Sequence, residues 1–291
     1  MSSYSRVAAV TGSNKGIGLA CVRQLALQYP KSSFNNGPLL IYLTARNKER
    51  GEKALHDILE DPLLNKEKAL RKDGGLSDVQ YLPLDIDNQD SIQQFARDIK
   101  QAHPEGIDIL INNAGIAMDG FDADVVKKTL HCNYYGTLAA TKLLLPQIRD
   151  GGRLVNVASL AGIIDSRYSS SLRKRFLNAT ETEEITGLME EFTTAVAKNE
   201  YQANWPGTAY RVSKAGVIGM TRTTAANNAR TGSKTLVNAC CPGYVLTDMT
   251  KGRGKKTPDE GAQTPVLLAL GDIKGSNGEF WYNESIVAWE R

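Results

Sequence analysis

The sequence is short of cysteine, histidine and long apolar runs, and each shortage excludes a class of protein. Its four cysteines form no C-x-x-C pair, and the adjacent Cys240 and Cys241 are badly placed to bridge each other, so we expect reduced thiols. The three histidines (His56, His103 and His131) have no metal-ligand spacing, which predicts no metal site. No apolar run approaches the ~18 residues of a membrane span, and the N-terminus lacks the apolar core of a signal peptide. We therefore expect a cytoplasmic protein with no membrane partner.

The charge is close to balanced, with 35 basic and 32 acidic side chains and a formal net charge of +3. No basic stripe is interleaved with aromatic residues in the way that nucleic-acid grooves require, so we expect no nucleic-acid partner. Hydrophobic residues make up 41% of the 291 positions, which is enough for a sizeable core.

Six short apolar runs predict β-strands, and stretches of helical periodicity separate them. The runs are apolar on both sides of the pleat, as in parallel strands that are buried on both faces. The predicted strands cover residues 6–10, 39–45, 79–85, 107–114, 153–159 and 235–241. The predicted helices cover residues 15–29, 47–60, 89–102, 122–148, 208–230 and 258–269. This alternation predicts an α/β fold of the Rossmann type, a doubly wound parallel sheet in a single domain over residues 1–291.

Three stretches break the alternation. Residues 29–38 and 61–78 are polar and marked by Gly or Pro, and we interpret them as surface insertions without an assigned function. The longest, residues 165–207, precedes the fifth helix of the pattern. A helical stripe runs through it and predicts a helical insertion: Ile185, Leu188, Met189, Phe192 and Val196.

The glycine-rich stretch "TGSNKGIG" (11–18) follows the first strand and opens the first helix. Glycines there allow a tight turn and a close approach to a pyrophosphate, whose charge is met by free amide groups at the helix N-terminus. A purely structural turn is the alternative. The predicted cofactor-binding residues of this turn are Gly12, Ser13, Asn14, Lys15, Gly16, Ile17 and Gly18.

The second strand ends in "LTARN", which has no carboxylate and carries Arg46. An acidic residue at this place favours NAD, whereas an arginine pairs with the 2′-phosphate of NADP. Lys15 adds a second cation nearby, so NADPH/NADP is the predicted cofactor, with a surface arginine as the alternative. After the third strand, Asp85 is a candidate acceptor for the adenine amine with Ile86 beside the ring, although Asp85 could equally begin the cap of the next helix.

The stretch "AYRVSKAG" (209–216) places Tyr210 and Lys214 four positions apart. On a helix these residues share one face, where an ammonium can act on a phenol whose ordinary pKa is near ~10. Ser159 ends the fifth predicted strand, on the carboxyl edge of the sheet where open α/β folds bind ligands. These positions predict one crevice that joins the three side chains.

Taken in order, "TGSNKGIG", "LDID", "NNAG", "LHCNYYG", "VNVASLAG", "YRVSK" and "CCPGYVLTDM" resemble the motifs of the short-chain dehydrogenase/reductases over nearly the whole chain. With "NWPGTAYRVSK" and "GAQTPVLLAL", the chain is most similar to the monomeric NADPH-dependent carbonyl reductases. The resemblance implies that Tyr210 is the general acid and that Lys214 binds the nicotinamide ribose and lowers the Tyr210 pKa. It implies that Ser159 holds the substrate oxygen and that Asn133 anchors a water of the proton relay.

The resemblance also extends the cofactor site beyond the fourth and sixth strands, to Asn112, Ala114, Gly115, Pro242, Gly243, Val245 and Thr247. On the substrate side it implies Tyr244, where relatives often have Trp, and Cys241. A small buried hydrophobe is the alternative for this cysteine.

The implied activity is NADPH-dependent reduction of small-molecule carbonyl compounds (ketones, aldehydes and quinones). The alternatives are an alcohol or steroid dehydrogenase that works toward oxidation and a nucleotide-sensing module without chemistry. We also expect a monomer, because residues 165–207 could cover the helix faces through which relatives dimerise. A mobile substrate lid, with dimerisation elsewhere, is the alternative for this insertion.

Overall fold

The computed structural model describes residues 4–291, and one eight-stranded sheet with the order β3-β2-β1-β4-β5-β6-β7-β8 organises them. The first seven strands are parallel, and β8 runs antiparallel to β7 at the edge. The strands are β1 (Arg6–Val10), β2 (Leu39–Ala45), β3 (Ser77–Pro83), β4 (Ile107–Asn112), β5 (Ile148–Val157), β6 (Leu236–Cys241), β7 (Phe280–Tyr282) and β8 (Ser285–Ile286). The strand order reverses between β1 and β4, which is where doubly wound sheets form ligand crevices.

Helices connect the strands in the predicted alternation. They are α1 (Gly16–Gln28), α2 (Lys48–Leu59), α3 (Pro62–Lys66), α4 (Gln89–Ala102), α5 (Ala123–Leu130), α6 (Thr137–Leu144), α7 (Ser170–Asn178), α8 (Thr182–Ala197), α9 (Ala209–Arg230) and α10 (Pro258–Leu270). The predicted Rossmann-type α/β fold is confirmed. Within residues 4–291, no helix combines the length and the apolar character that crossing a membrane requires.

The sheet is apolar on both faces because helices cover both of them. All seven residues of β2 are buried, and their side chains alternate between two cores. Ile41 joins the core that includes residues of α1 and α10, whereas Leu40 joins the core that includes Phe95 of α4 and Leu144 of α6. Burial on both faces explains why the strands read as continuous apolar runs.

The predicted helix over 122–148 is helical over residues 123–147, but it is not one regular α-helix. A π-helix over His131–Gly136 separates α5 from α6, and a 3-10 turn that contains Pro146 ends the helical stretch. As a result β5 begins at Ile148, five residues before its predicted start. The strands β7 and β8 were not predicted, because runs of three and two residues carry too little periodicity to stand out.

The insertion over 165–207 contains two helices, α7 and α8, of which only the second was predicted. The predicted stripe on α8 is buried throughout, with exposures of 0–8%. Helix α8 packs against α5 and α9, and Thr182 and Thr223 join α8 to α9 through a hydroxyl–hydroxyl hydrogen bond of 2.9 Å. The predicted apolar partner of the stripe therefore lies within the same chain.

Candidate active site

A cavity of ≈ 660 Å³ opens at the carboxyl ends of the parallel strands. Many of the sequence-predicted cofactor residues line it: Gly12, Asn14, Lys15, Gly16, Ile17, Gly18, Arg46, Asp85, Ile86, Ala114, Gly115, Tyr210, Lys214, Pro242 and Thr247. Lining residues that the prediction missed include Asn47, Arg50, Asp87, Asn113, Ile116, Cys132, Leu246, Asp248 and Met249. The structure thus brings most of the predicted residues to one crevice.

The glycine-rich turn takes a shape that side chains would prevent. Gly12 has φ +61°, and a Cβ there would lie 2.8 Å from the Ala114 Cβ. Asn113 donates from Nδ2 to the carbonyl oxygens of Thr11 and Gly12, at 3.0 and 3.1 Å, and so fastens the turn to the end of β4. The second asparagine of "NNAG" was the available signal for this role. Backbone of Gly16 and Ile17 at the start of α1 faces the cavity, which suits an anionic group.

Four predicted cofactor residues do not line the cavity: Ser13, Asn112, Gly243 and Val245. The Ser13 hydroxyl donates to Val10 O at 2.8 Å and accepts from Thr44 N, so it ties β1 to β2. Asn112 donates to Thr141 Oγ1 and Asn156 Oδ1 and is 4% exposed. The side chains of Ser13 and Asn112 are buried and hydrogen-bond to neighbouring strands or helices of the core.

Two arginines near the end of β2 line the cavity: Arg46, directly after the strand, and Arg50, in the first turn of α2. Arg46 is exposed, and Asn47 caps α2 by accepting a hydrogen bond of 2.9 Å from the Arg50 amide. No carboxylate of residues 4–291 pairs with the side chain of Arg46 or Arg50. Two cations without carboxylate partners on one cavity are suited to an anionic group such as a phosphate.

Asp85 lines the cavity and also shapes the turn after β3. Its Oδ1 accepts a hydrogen bond of 3.0 Å from Asp87 N, and its own amide donates to Ser91 Oγ at 2.9 Å. The cap of α4 is Asn88, and Asp85 lies in the preceding turn beside Ile86, where both line the cavity.

Tyr210 and Lys214 lie on one face of α9, with Lys214 Nζ 5.7 Å from the centroid of the Tyr210 ring. Lys214 is buried, and its Nζ donates to Val157 O at 2.8 Å, which ties α9 to the end of β5. Ser159 follows β5, and its hydroxyl accepts from Ala161 N at 3.1 Å. The end of β5 thus brings the serine to the tyrosine.

Burial dominates the ionisation of this group. It raises the pKa of Tyr210 to about 12, against a lowering effect of the hydrogen bond with the Ser159 side chain. Burial also lowers the pKa of Lys214 to about 8. The sequence resemblance implied a lowered pKa for Tyr210, and the surroundings in the structure give the opposite direction, because removing a phenolate from water costs more than the hydrogen bond returns. Tyr210 is therefore a protonated phenol near neutral pH.

Asn133 lies in the π-helix, a feature common at functional sites. Its Oδ1 accepts from Ile116 N at 2.7 Å, and its Nδ2 donates to Ile116 O and to Ser213 Oγ at 2.9 and 3.0 Å. Ser213 in turn donates to Tyr210 O at 2.8 Å. The Asn133 side chain thus positions the loop after β4 and the start of α9, and its predicted role toward a water stays a prediction.

The segment after β6 forms the outer side of the site. Cys241 is buried and accepts a hydrogen bond of 3.3 Å from Gly243 N, while Tyr244 is 51% exposed. Val245 is 1% exposed, because its side chain packs inward against Gly261. Leu246 lines the cavity and Val245 does not, and the implied contact of Val245 with the cofactor stays a prediction.

The chemistry of the lining fits a nicotinamide dinucleotide. Helix-start amides suit a pyrophosphate, and Arg46 and Arg50 suit a further phosphate. Gly115 leaves room beside Asn133 and Lys214. A Cβ on Gly115 would lie 3.0 Å from Asn133 Oδ1 and 3.6 Å from Lys214 Nζ.

Comparison with known families gives a match to a family described as short chain dehydrogenase, over residues 6–172 and 192–258. The chain is 38% identical to "Carbonyl reductase [NADPH] 1" of Mus musculus and of Homo sapiens, over 99% of this chain and 100% of each relative. It is also 38% identical to "Carbonyl reductase [NADPH] 3" of Rattus norvegicus, with the same coverage.

Among solved structures, salutaridine reductase from Papaver somniferum is similar, with a TM-score of 0.79 and 26% identity over 96% of this chain and 99% of that one. The menthone neomenthol reductase from Mentha piperita has a TM-score of 0.72 at 24% identity, over 96% and 98% of the two chains, which shows a shared fold.

Proposed function

Because the chain belongs to the short-chain dehydrogenase family of oxidoreductases, we propose that it reduces small-molecule carbonyl compounds with NADPH as the cofactor. The observation that carries the proposal is a cavity lined by Tyr210, Lys214 and Arg46, in which Ser159 hydrogen-bonds to Tyr210. Family membership implies a nicotinamide cofactor, and the relatives' names include NADPH.

The choice of NADPH rests on charge. A carboxylate at the end of β2 would bind the free ribose of NADH and repel a 2′-phosphate, whereas this chain has Arg46 there and Arg50 one helical turn later. Lys15 adds a third cation on the lining of the same cavity. These groups would hold the 2′-phosphate of NADPH, which when bound supplies a hydride to the carbonyl carbon.

Tyr210 provides the proton. The phenol is protonated at neutral pH, since burial raises its pKa, and it can give this proton to the carbonyl oxygen as negative charge develops there. The Ser159 hydroxyl, which interacts with the phenol, holds the same oxygen. The Lys214 ammonium stabilises the tyrosinate that proton transfer leaves behind.

The substrate side favours an apolar carbonyl compound. Tyr244, Leu246 and Met249 follow β6 and are 47–51% exposed. Exposed apolar side chains beside a binding cavity can pack against an apolar substrate. Quinones, aromatic aldehydes, α-dicarbonyls and ketosteroids are therefore the compounds to test.

The experiment compares the parent chain with Tyr210→Phe on this panel, following NADPH absorbance with NADH as the second cofactor. We expect turnover to fall by orders of magnitude while NADPH binding, followed by its fluorescence, stays nearly intact, because only the proton donor is removed. Turnover within a few-fold of the parent would refute the catalytic role of Tyr210. A parent chain that binds NADPH and reduces none of the compounds would instead favour a nucleotide-sensing module.

A further inference from the structure

An exposed ion pair crosses the cavity between two segments distant in sequence. Lys15, in the glycine-rich turn, donates from Nζ to Asp248 Oδ2 at 2.6 Å, and Asp248 follows β6. Both residues line the cavity, and their side chains are 62% and 79% exposed. The adjoining Thr247 also contacts this turn, since a Cβ on Gly16 would lie 3.3 Å from Thr247 Cγ2.

Asp248 belongs to a loop, residues 246–255, whose two ends are held together. Leu246 N donates to Lys256 O at 2.8 Å, and Lys256 N donates to Tyr244 O at 3.1 Å. A second ion pair holds the loop on its other side, where Lys251 Nζ lies 2.7 Å from Asp119 Oδ2. Neither Lys251 nor Asp119 lines the cavity. The loop therefore has one ion pair at the cofactor cavity and one outside it.

We propose that Asp248 weakens the preference for NADP⁺ by competing with the 2′-phosphate for the Lys15 ammonium. The inference rests on the proposed use of NADPH. A carboxylate and a phosphate repel each other, so Lys15 would exchange Asp248 for the phosphate. Loop 246–255 would then lose its ion pair with the glycine-rich turn. NADH lacks the 2′-phosphate and shares its pyrophosphate with NADPH, so any difference between the two cofactors in breaking the ion pair reports on the 2′-phosphate.

The expected size of the effect follows from exposure. An ion pair between two well-exposed side chains is weak, so removing the carboxylate should tighten NADP⁺ binding by about two- to five-fold and leave NAD⁺ binding unchanged. Raising the salt concentration should shrink the difference, because exposed charges are screened.

The experiment measures NADP⁺ and NAD⁺ binding by titration calorimetry on the full chain. Asp248→Asn keeps the shape of the side chain, and Asp248→Ala removes the acceptor. Asp119→Asn is the matched control, since it breaks an equally exposed ion pair on the same loop but releases no cation into the cavity. We expect the two Asp248 variants to favour NADP⁺ and Asp119→Asn to leave the preference as it is.

Lys15→Gln supplies the other arm of the test. It should weaken NADP⁺ binding, and adding Asp248→Asn to it should change nothing further, because the contested ammonium is gone.

Three results would overturn the inference: an equal effect of Asp119→Asn, a full effect of Asp248→Asn in the Lys15→Gln background, or no effect of the Asp248 variants in a chain that prefers NADP⁺. A parent chain without preference for NADP⁺ would refute the proposed cofactor itself, which separates the two failures.

Discussion

Replacing Lys214 by methionine tests how much stability the chain gives up to keep an ammonium in its interior. Lys214 is 5% exposed, and burial lowers its pKa from 10.5 to about 8. At about 1.4 kcal/mol for each unit of pKa, the charged side chain destabilises the folded state by about 3 kcal/mol at neutral pH. Methionine is similar in length and uncharged, but it leaves Val157 O without the hydrogen bond that Lys214 donates, at a cost of about 1 kcal/mol.

We therefore expect Lys214→Met to raise the free energy of unfolding by about 2 kcal/mol at neutral pH while abolishing carbonyl reduction. The gain should depend on pH in a definite direction. Because the folded-state pKa lies below the unfolded one, the penalty on the parent is complete below about pH 8 and disappears as the pH rises toward 10.5. The advantage of the variant should vanish near about pH 10.

Urea unfolding of both chains without nucleotide, at several pH values between about 7 and 10, gives this difference directly. Lys255→Met is the control, because Lys255 is exposed and its removal should change stability by less than about 0.5 kcal/mol. A Lys214→Met chain that is less stable than the parent at neutral pH, or a difference that does not vary with pH, would refute the reasoning.

Three further predictions concern the cofactor, the insertion and the assembly. Arg46→Asp should weaken NADPH binding at least tenfold more than NADH binding in fluorescence titrations, since it puts a carboxylate where the 2′-phosphate would lie; equal losses would assign Arg46 another role. Phe192→Ala should lower the free energy of unfolding by about 3–5 kcal/mol in urea, because this ring is fully buried between α8 and its partners; a loss under about 1 kcal/mol would mean that the insertion packs loosely. Light scattering across micromolar concentrations should give the monomer mass of 31.7 kDa, because the apolar stripe of α8 is already buried against α5 and α9 of the same chain; a stable mass of twice that value would reject this.

Several features of the site were accessible from the sequence because they depend on spacing along the chain. The four-residue step from Tyr210 to Lys214 puts both side chains on one face of any helix, and the structure has them on α9. The glycine-rich turn and Arg46 each follow a strand end, and parallel strands bring those ends to one edge of the sheet. Period and position were therefore enough to predict the first six strands and the glycine-rich turn, Arg46 and Tyr210 of the cavity lining.

Other features depend on contacts between distant segments, which spacing does not encode. The contact of Lys15 with Asp248 joins residues 233 positions apart. The π-helix around Asn133 breaks a sequence that reads as one continuous helix, and there Asn133 Oδ1 binds the loop after β4.

The ionisation of Tyr210 and Lys214 was decided by tertiary structure alone. A neighbouring cation on the same helix predicts a lowered pKa for the phenol. The burial that raises the pKa of Tyr210 instead arises where the ends of β5 and β6 pack against α9. Desolvation is summed over every neighbour that displaces water, and only the folded chain defines those neighbours. The sequence by itself determined which groups meet at the sheet edge, and the fold determined which of them carry a proton there.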